Sequence, residues 1–224
     1  MNIEYVFKEL SDNAIEEIYY EHMTSDFPRS ELKPLKLLLD CKKMDLYKCF
    51  GLFDGDKLLA YSYFANDPHK KIILLDYLAV VKNMRNAGYG SIMLSKTREY
   101  FRKNSTVEKV IIEAESIENS TNEEERNIRR RRIAFYKKNG LVQQQFKTKV
   151  FGTEFTILLL DVKNNGEVSV SNNTKNNNTK NNNTKIDEKK MSEKNNEAEI
   201  IEDYQNIYKA ILTKEMYDKN VFIL

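Results

Sequence analysis

Two glycines one residue apart, Gly88 and Gly90, stand where an apolar run, Lys71 to Val81, gives way to a helical pattern, Tyr89 to Arg102. At such a junction glycine lets the main chain approach a ligand closely. The N–H groups of the first helical turn then face it with the positive end of the helix dipole. That geometry suits a pyrophosphate; the alternative is an ordinary tight turn before a helix. The dinucleotide fingerprint does not fit, because it needs a third glycine early in a βαβ unit, and no Gly-Lys-Ser/Thr follows to make a phosphate loop. Three carboxylates are also placed for chemistry. Asp76 lies inside the apolar run, in step with Leu74, Leu78 and Val80, while Glu113 and Glu115 share one face of a strand over Glu108 to Glu115. Charges seldom sit in apolar strands without a role, and neighbouring like charges raise one pKa, as a general base requires. Solvent exposure or pairing with the arginine-rich helix that follows is the alternative for both glutamates.

The elements that would hold these residues alternate. Ile3 to Phe7 reads as a strand, Asn13 to His22 as a helix, and Ser30 as the cap of a helix over Glu31 to Lys43. Asp54-Gly55-Asp56 joins Tyr47–Phe53 to Lys57–Ala65 in a hairpin. Thr121 and Glu124 have capping-box spacing ahead of a basic helix that Gly140 stops. Leu141–Val150 and Glu154–Val162 form a last hairpin through Phe151-Gly152-Thr153. The order βααβββαβαββ predicts one three-layer α/β domain with a mostly antiparallel sheet over residues 1–162. Ten of the twenty residues from 164 to 183 are Asn, too few apolar side chains to offset chain entropy, so 163–197 reads as a disordered Asn-rich linker. Ile201, Tyr204, Tyr208 and Ile211 then form a helical stripe in 198–224 that needs a surface, either the domain or a partner subunit such as a second copy. The terminal Val-Phe-Ile-Leu has the same need.

Composition narrows the function. Lys+Arg 36 against Asp+Glu 34 leaves +2, no global imbalance that would favour nucleic acid or an anionic membrane. Arg126, Arg129, Arg130, Arg131 and Arg132 form a local patch, but no stacking aromatics alternate with them, so nucleic acid is not an expected partner. No signal peptide or membrane span is expected, and a cytoplasmic location follows as an expectation. Cys41 and Cys49, with only His22 and His69 beside them in the sequence, predict neither a disulfide nor a metal site.

Arg85-Asn86-Ala87-Gly88-Tyr89-Gly90, after its apolar strand, resembles the acyl-CoA loop of the GCN5-related N-acetyltransferase (GNAT) superfamily. Tyr136-Lys137-Lys138-Asn139-Gly140-Leu141 is similar to the family's Tyr-x-x-x-Gly-Phe closing motif, with Leu141 replacing Phe. The resemblance covers residues 1–162 and implies the three-layer acyl-CoA N-acyltransferase fold, with a mixed, mostly antiparallel sheet, and acetyl-CoA as the acetyl donor. Main-chain groups of Leu78, Ala79 and Val80 would pair with its pantetheine arm where the sheet splays. Amides from Arg85, Asn86, Ala87, Gly88, Tyr89, Gly90 and Ser91 would hold its pyrophosphate, with the Arg85 side chain adding to them. Tyr136 would protonate the leaving thiolate. Arg129 replaces a common Asn and would reach cofactor phosphate instead.

The implied reaction is direct attack of a small-molecule or peptide primary amine on the thioester. Glu113, then Asp76, then Glu115 are the candidate bases. Arg29 and Glu31, between the first two helices, and Glu115 are candidates for substrate contact. A degenerate CoA-binding or regulatory module of the same fold is the rival reading, and it predicts binding without thiol release.

Overall fold

The chain's structure is a computed structural model that describes residues 5–29, 31–163 and 182–224. Its centre is an eight-stranded sheet built from β1 (Val6–Glu9), β2 (Tyr47–Asp54), β3 (Lys57–Asn66), β4 (Ile72–Val80), β5 (Lys109–Glu115), β6 (Val142–Val150), β7 (Thr153–Asp161) and β8 (Val221–Ile223). The strand order is β1-β2-β3-β4-β5-β7-β6-β8. Every pairing is antiparallel except β4 with β5. The fold is thus the three-layer α/β arrangement that the element order implies.

Strand side chains alternate between faces, and each face carries its own apolar core. Tyr47, Tyr63, Leu74, Ile111 and Ile157 pack on α1 (Asp12–Ile18), α3 (Leu35–Lys43) and α6 (Asn182–Ile211). Phe50, Phe64, Ile73, Ile112 and Leu158 pack on α4 (Tyr89–Asn104) and α5 (Glu123–Lys138). The Asp-Gly hairpin forms with Gly55 at φ 57°, and Gly140 ends α5 at φ 84°, both left-handed conformations that glycine adopts without cost.

Local signals shift in several places. The first helix extends through a π-helical turn (Tyr19–Met23) into the short α2 (Thr24–Asp26). The next helix begins at Leu35 rather than Glu31, with Pro34 as its N-cap and no side-chain cap, because the residue before a proline is driven out of helical conformation. Ile3 and Ser30 lie outside the described residues. The capping box sits one residue later than its expected place. Asn122 accepts from the Glu125 N–H at 2.8 Å, and Glu125 accepts from the N–H and hydroxyl of Thr121.

The C-terminal segment folds back on the domain. Helix α6 begins at Asn182, inside the stretch read as linker to residue 197, and residues 164–181 of that stretch lie outside the described residues. Ile200, Tyr204, Ile207 and Tyr208 are buried in the first core. After α7 (Lys214–Asn220), the terminal residues that needed a surface become β8, antiparallel to β6 through Thr148–Ile223, Lys149–Phe222 and Val150–Val221. Because Ile207 is fully buried, Ile207→Ala should cost about 2–4 kcal/mol. Phe222→Ala, at a 46% exposed position, should cost well under half as much. Urea denaturation of the two variants reads the difference, and equal costs would mean that α6 is not part of the core.

Candidate active site

The parallel contact between β4 and β5 lasts four residue pairs, from Ile72–Lys109 to Leu75–Ile112. The next residue on each strand is a carboxylate, Asp76 on β4 and Glu113 on β5. The β3–β4 ladder steps from Tyr63–Tyr77 to Phe64–Leu75, so Asp76 is the extra residue of a β-bulge. The bulge corrects one expectation. Leu74 faces the first core but Leu78 and Val80 face the second, so Asp76 is not in step with all three. Beyond Leu75 and Ile112 the strands splay, leaving the edge of β4 from Asp76 to Val80 without a β5 partner.

At the far end of β4 lies the glycine loop. Gly88 has φ 86° and is the N-cap of α4, with nothing near the place a Cβ would occupy. Helices α1, α5 and α7 carry side-chain caps, whereas α4 has none. The Ser91 N–H turns back on the Gly88 carbonyl at 3.0 Å, which leaves the N–H groups ahead of it to meet an anion. Gly90 has a different reason: a Cβ there would lie 3.1 Å from the Phe135 ring, so its absence lets α4 approach α5. An open cradle of unpaired donors joined to an unpaired strand edge fits an acyl-CoA.

Two arginines assigned to that cofactor are otherwise engaged. Arg85 donates through Nε to the Val80 carbonyl at 3.1 Å and through its guanidinium to Asp26 at 2.6 Å, tying the loop to β4 and α2. Arg129 is buried and donates to the Ser116 carbonyl at 2.7 Å, to Glu115 at 3.1 Å and to Glu125. It fastens α5 to the end of β5. Glu115 also pairs with Arg132 at 2.8 Å, so the salt-bridge alternative describes Glu115. The other arginines of the run, Arg126 and Arg130, pair with Glu123, and Arg131 donates to the Asn127 carbonyl.

The two carboxylates at the splay differ. Asp76 accepts from Lys33 Nζ on both oxygens, each at 2.8 Å, and from the Tyr47 hydroxyl. Both Asp76 oxygens are thus engaged, by a cation and a phenol. Among the described residues, no cation is bonded to Glu113. The phenols of Tyr204 and Tyr208 donate to Oε1 and to Oε2, the latter at 2.9 Å. Burial raises the Glu113 carboxyl to about 7, against the pull of these two bonds. Lys33, Tyr47, Tyr204 and Tyr208 are absent from the sequence-based candidates. The sequence does show Tyr204 and Tyr208 in one helical stripe, where the phenol oxygens, not the rings, were the overlooked signal.

The remaining candidates frame this centre. Tyr77 donates to the Glu31 carbonyl at 2.7 Å and accepts from the Lys33 N–H at 3.0 Å, fixing the segment before α3 onto β4. Lost hydration and then Glu115 raise the Glu31 carboxyl. Arg29 is exposed. Tyr136 lies 8% exposed in the core between α5 and the sheet, where burial raises its phenol. Cys49 is buried, and its thiol is pushed far up by burial, which removes it as a nucleophile. Among the described residues no His/Cys/Asp/Glu group could hold a metal ion, and no helix is long and apolar enough to cross a membrane. Since only a left-handed residue suits position 88, Gly88→Ala should cost about 1–2 kcal/mol and weaken acetyl-CoA binding. Gly88→Asn should be milder on both counts. Thermal melting and calorimetric titration would show the order, which a purely steric role would not produce.

Similar proteins carry the same architecture. No curated protein sequence matches the chain. An N-acetyltransferase from Staphylococcus aureus superposes with TM-score 0.52 at 17% identity, covering 72% of this chain and 99% of that one. The ribosomal-protein-S18-alanine N-acetyltransferase from Escherichia coli gives 0.54 at 16%, covering 74% and 98%. Spermidine N-acetyltransferase from Vibrio cholerae, in complex with CoA and spermine, gives 0.54 at 10%, covering 71% and 96%. At these identities the likeness is one of fold. The profile of the Acetyltransferase (GNAT) family matches residues 13–141, more than half of the chain, and with the glycine cradle and the splayed β4–β5 pair in place, this protein belongs to the GNAT acetyltransferase family.

Proposed function

We propose that the protein transfers an acetyl group from acetyl-CoA to a primary amine by direct attack, with Glu113 as the general base. The observation that carries this reading is the position of Glu113, a half-buried carboxyl raised to about 7 at the start of the splay, beside the unpaired edge of β4. Bound acetyl-CoA supplies an activated thioester. The N–H groups of α4 and the unpaired edge at Leu78, Ala79 and Val80 are the groups to bind and orient it, and a strand N–H is the natural donor to the developing oxyanion. The acceptor enters from the side framed by Arg29, Glu31 and Lys33.

A primary amine near pKa 10.4 is mostly protonated at neutral pH. Transfer of its proton to a carboxylate of pKa about 7 is uphill by about 3.4 units, about 4.6 kcal/mol. An ordinary glutamate would make the step about 3.4 kcal/mol harder. Tyr136 is assigned the protonation of the departing thiolate, from the buried face of α5. Small amines, peptides and polyamines are the acceptors to try first; the names of the similar proteins include an alanine of a ribosomal protein and spermidine.

The two carboxylates should separate on mutation. Glu113→Gln should lower thiol release about 10²–10⁴-fold without loss of folding. Its stability relative to wild type should rise with pH. A folded pKa of about 7, above the unfolded value, favours the folded state fully below about 4.5 and loses that contribution as pH rises through 7. Asp76→Asn should instead cost about 1–3 kcal/mol of stability by weakening the Lys33 pair, with a smaller effect on rate. Tyr136→Phe should slow release with little change in melting. Thiol release over a panel of amines, amino acids, aminoglycosides and peptides, with urea denaturation alongside, checks all three. Acetyl-CoA binding without release from any acceptor would select the binding-module reading.

A further inference from the structure

We propose that Tyr204 and Tyr208, on the helix that follows the family domain, are positioning residues of the acceptor site, and that the C-terminal segment thereby sets the orientation and basicity of Glu113. The inference rests on the acetyl-transfer reading and goes beyond it, since the family profile ends at residue 141 and α6 runs from Asn182 to Ile211.

The geometry is a clamp. Four-residue spacing puts both tyrosines on one face of α6, and each phenol takes a different oxygen of the same carboxylate. Their rings touch edge-on at 5.1 Å and 62°, and both residues are almost wholly buried. The helix carrying them is fixed ahead of the tyrosines by two polar contacts. Asp203 pairs with Lys70 at 2.9 Å, and Asn196 Oδ1 accepts from Lys109 Nζ at 2.7 Å. Ile200 and Ile207 anchor its apolar stripe. The phenols are therefore held where they are by contacts that do not involve Glu113.

Packing alone would not require the hydroxyls. Phe or Leu fills a core stripe equally well, whereas a buried phenol needs a partner, and here both choose a carboxylate. The groups facing Glu113 are Tyr204 and Tyr208 from α6, Asp76 from β4 and Lys33 from the segment before α3. Asp76 opposes ionisation and Lys33 favours it, but those two are bonded to each other. The phenols are the direct donors. One donated bond per oxygen leaves each oxygen a second lone pair, so the clamp orients the base without consuming it. Without the phenols, burial would be opposed only by Lys33, itself paired with Asp76, and Glu113 would stay protonated at neutral pH.

The test is the Glu113 titration itself, followed by carboxyl carbon-13 NMR of full-length protein labelled at glutamate and assigned with Glu113→Gln. Wild type should show a midpoint near 7. Tyr204→Phe and Tyr208→Phe should each move it upward by about one pH unit, a tenfold change in proton affinity. The acidic limb of the rate profile for the best acceptor should move with it, with activity regained at higher pH and acetyl-CoA affinity unchanged. Folding is checked by thermal melting. If either variant is unfolded, the wild-type midpoint and the other variant decide. A wild-type midpoint near 4.5, or a midpoint and pH profile unmoved in a folded variant, would reduce the tyrosines to packing and overturn the proposal alone. Absence of thiol release from every acceptor, with the NMR shift intact, would instead overturn the acetyl-transfer reading and remove the base that the clamp is proposed to serve.

Discussion

Four residue pairs of parallel contact between β4 and β5, and then none, are the constraint on which the rest of the molecule depends. A parallel pair that ended at a sheet edge would simply fray. Here both strands continue, each paired on its outer side, β4 with β3 to Val80 and β5 with β7 to Glu115, so the gap between them is held open by ladders that cannot close it. The bulge at Asp76 sits where the gap begins. Bulges bend a strand and strengthen its local twist, and this one turns β4 away from β5 while passing its following residues to the opposite faces. The opening, its unpaired edge and the start of the glycine loop at its far end are one geometrical event.

Opening a sheet in the middle of a domain brings charges into a place with little water, and the structure meets that cost in two ways. Asp76 is given a cation, Lys33, held in turn because its own N–H bonds the Tyr77 hydroxyl. Glu113 is given neutral donors only. Where little water reaches it and phenols are its donors, the Glu113 carboxyl is raised to about 7, close to the balance between its two forms. Two carboxylates one position beyond the same ladder thus end with different chemistry, and the difference comes from side chains on three other elements.

How far the sequence could be read follows from the range of each interaction. The hairpin turn at Gly55, the stop at Gly140 and the cradle at Gly88 depend on main-chain conformations that their own neighbours signal. The arginine-rich helix was legible as a set of internal salt bridges, because Glu115 and the acids at the helix start are near in sequence. The faces of β4 were not, since a bulge adds a residue without changing the composition around it. Arg85 and Arg129 show a related limit: sequence supplies their charge, but the nearby acceptors, Asp26 and Glu115, determine where the charge points. Lys33 reaches Asp76 across 43 residues, and the tyrosines reach Glu113 across 91 and 95. No local pattern reports such pairings.

The charge balance at the splay bears on the acceptor as well. Asp76 and Lys33 cancel, so ionised Glu113 is the one uncompensated charge among the groups bonded there. An amine that arrives protonated brings the missing positive charge into a site of low dielectric, where its attraction for the carboxylate is greater than in water. On the proposed reading, that attraction stabilises ionised Glu113 and draws in the protonated form, which is the abundant one. It thereby opposes the later proton transfer. Burial limits this opposition: with Glu113 raised to about 7 rather than 4.5, binding and deprotonation make less conflicting demands on the same carboxylate, while the clamp keeps it from rising further. On the same proposed reading, a neutral acceptor such as an alcohol would gain nothing from the uncompensated charge, which is a further argument for the proposed amine.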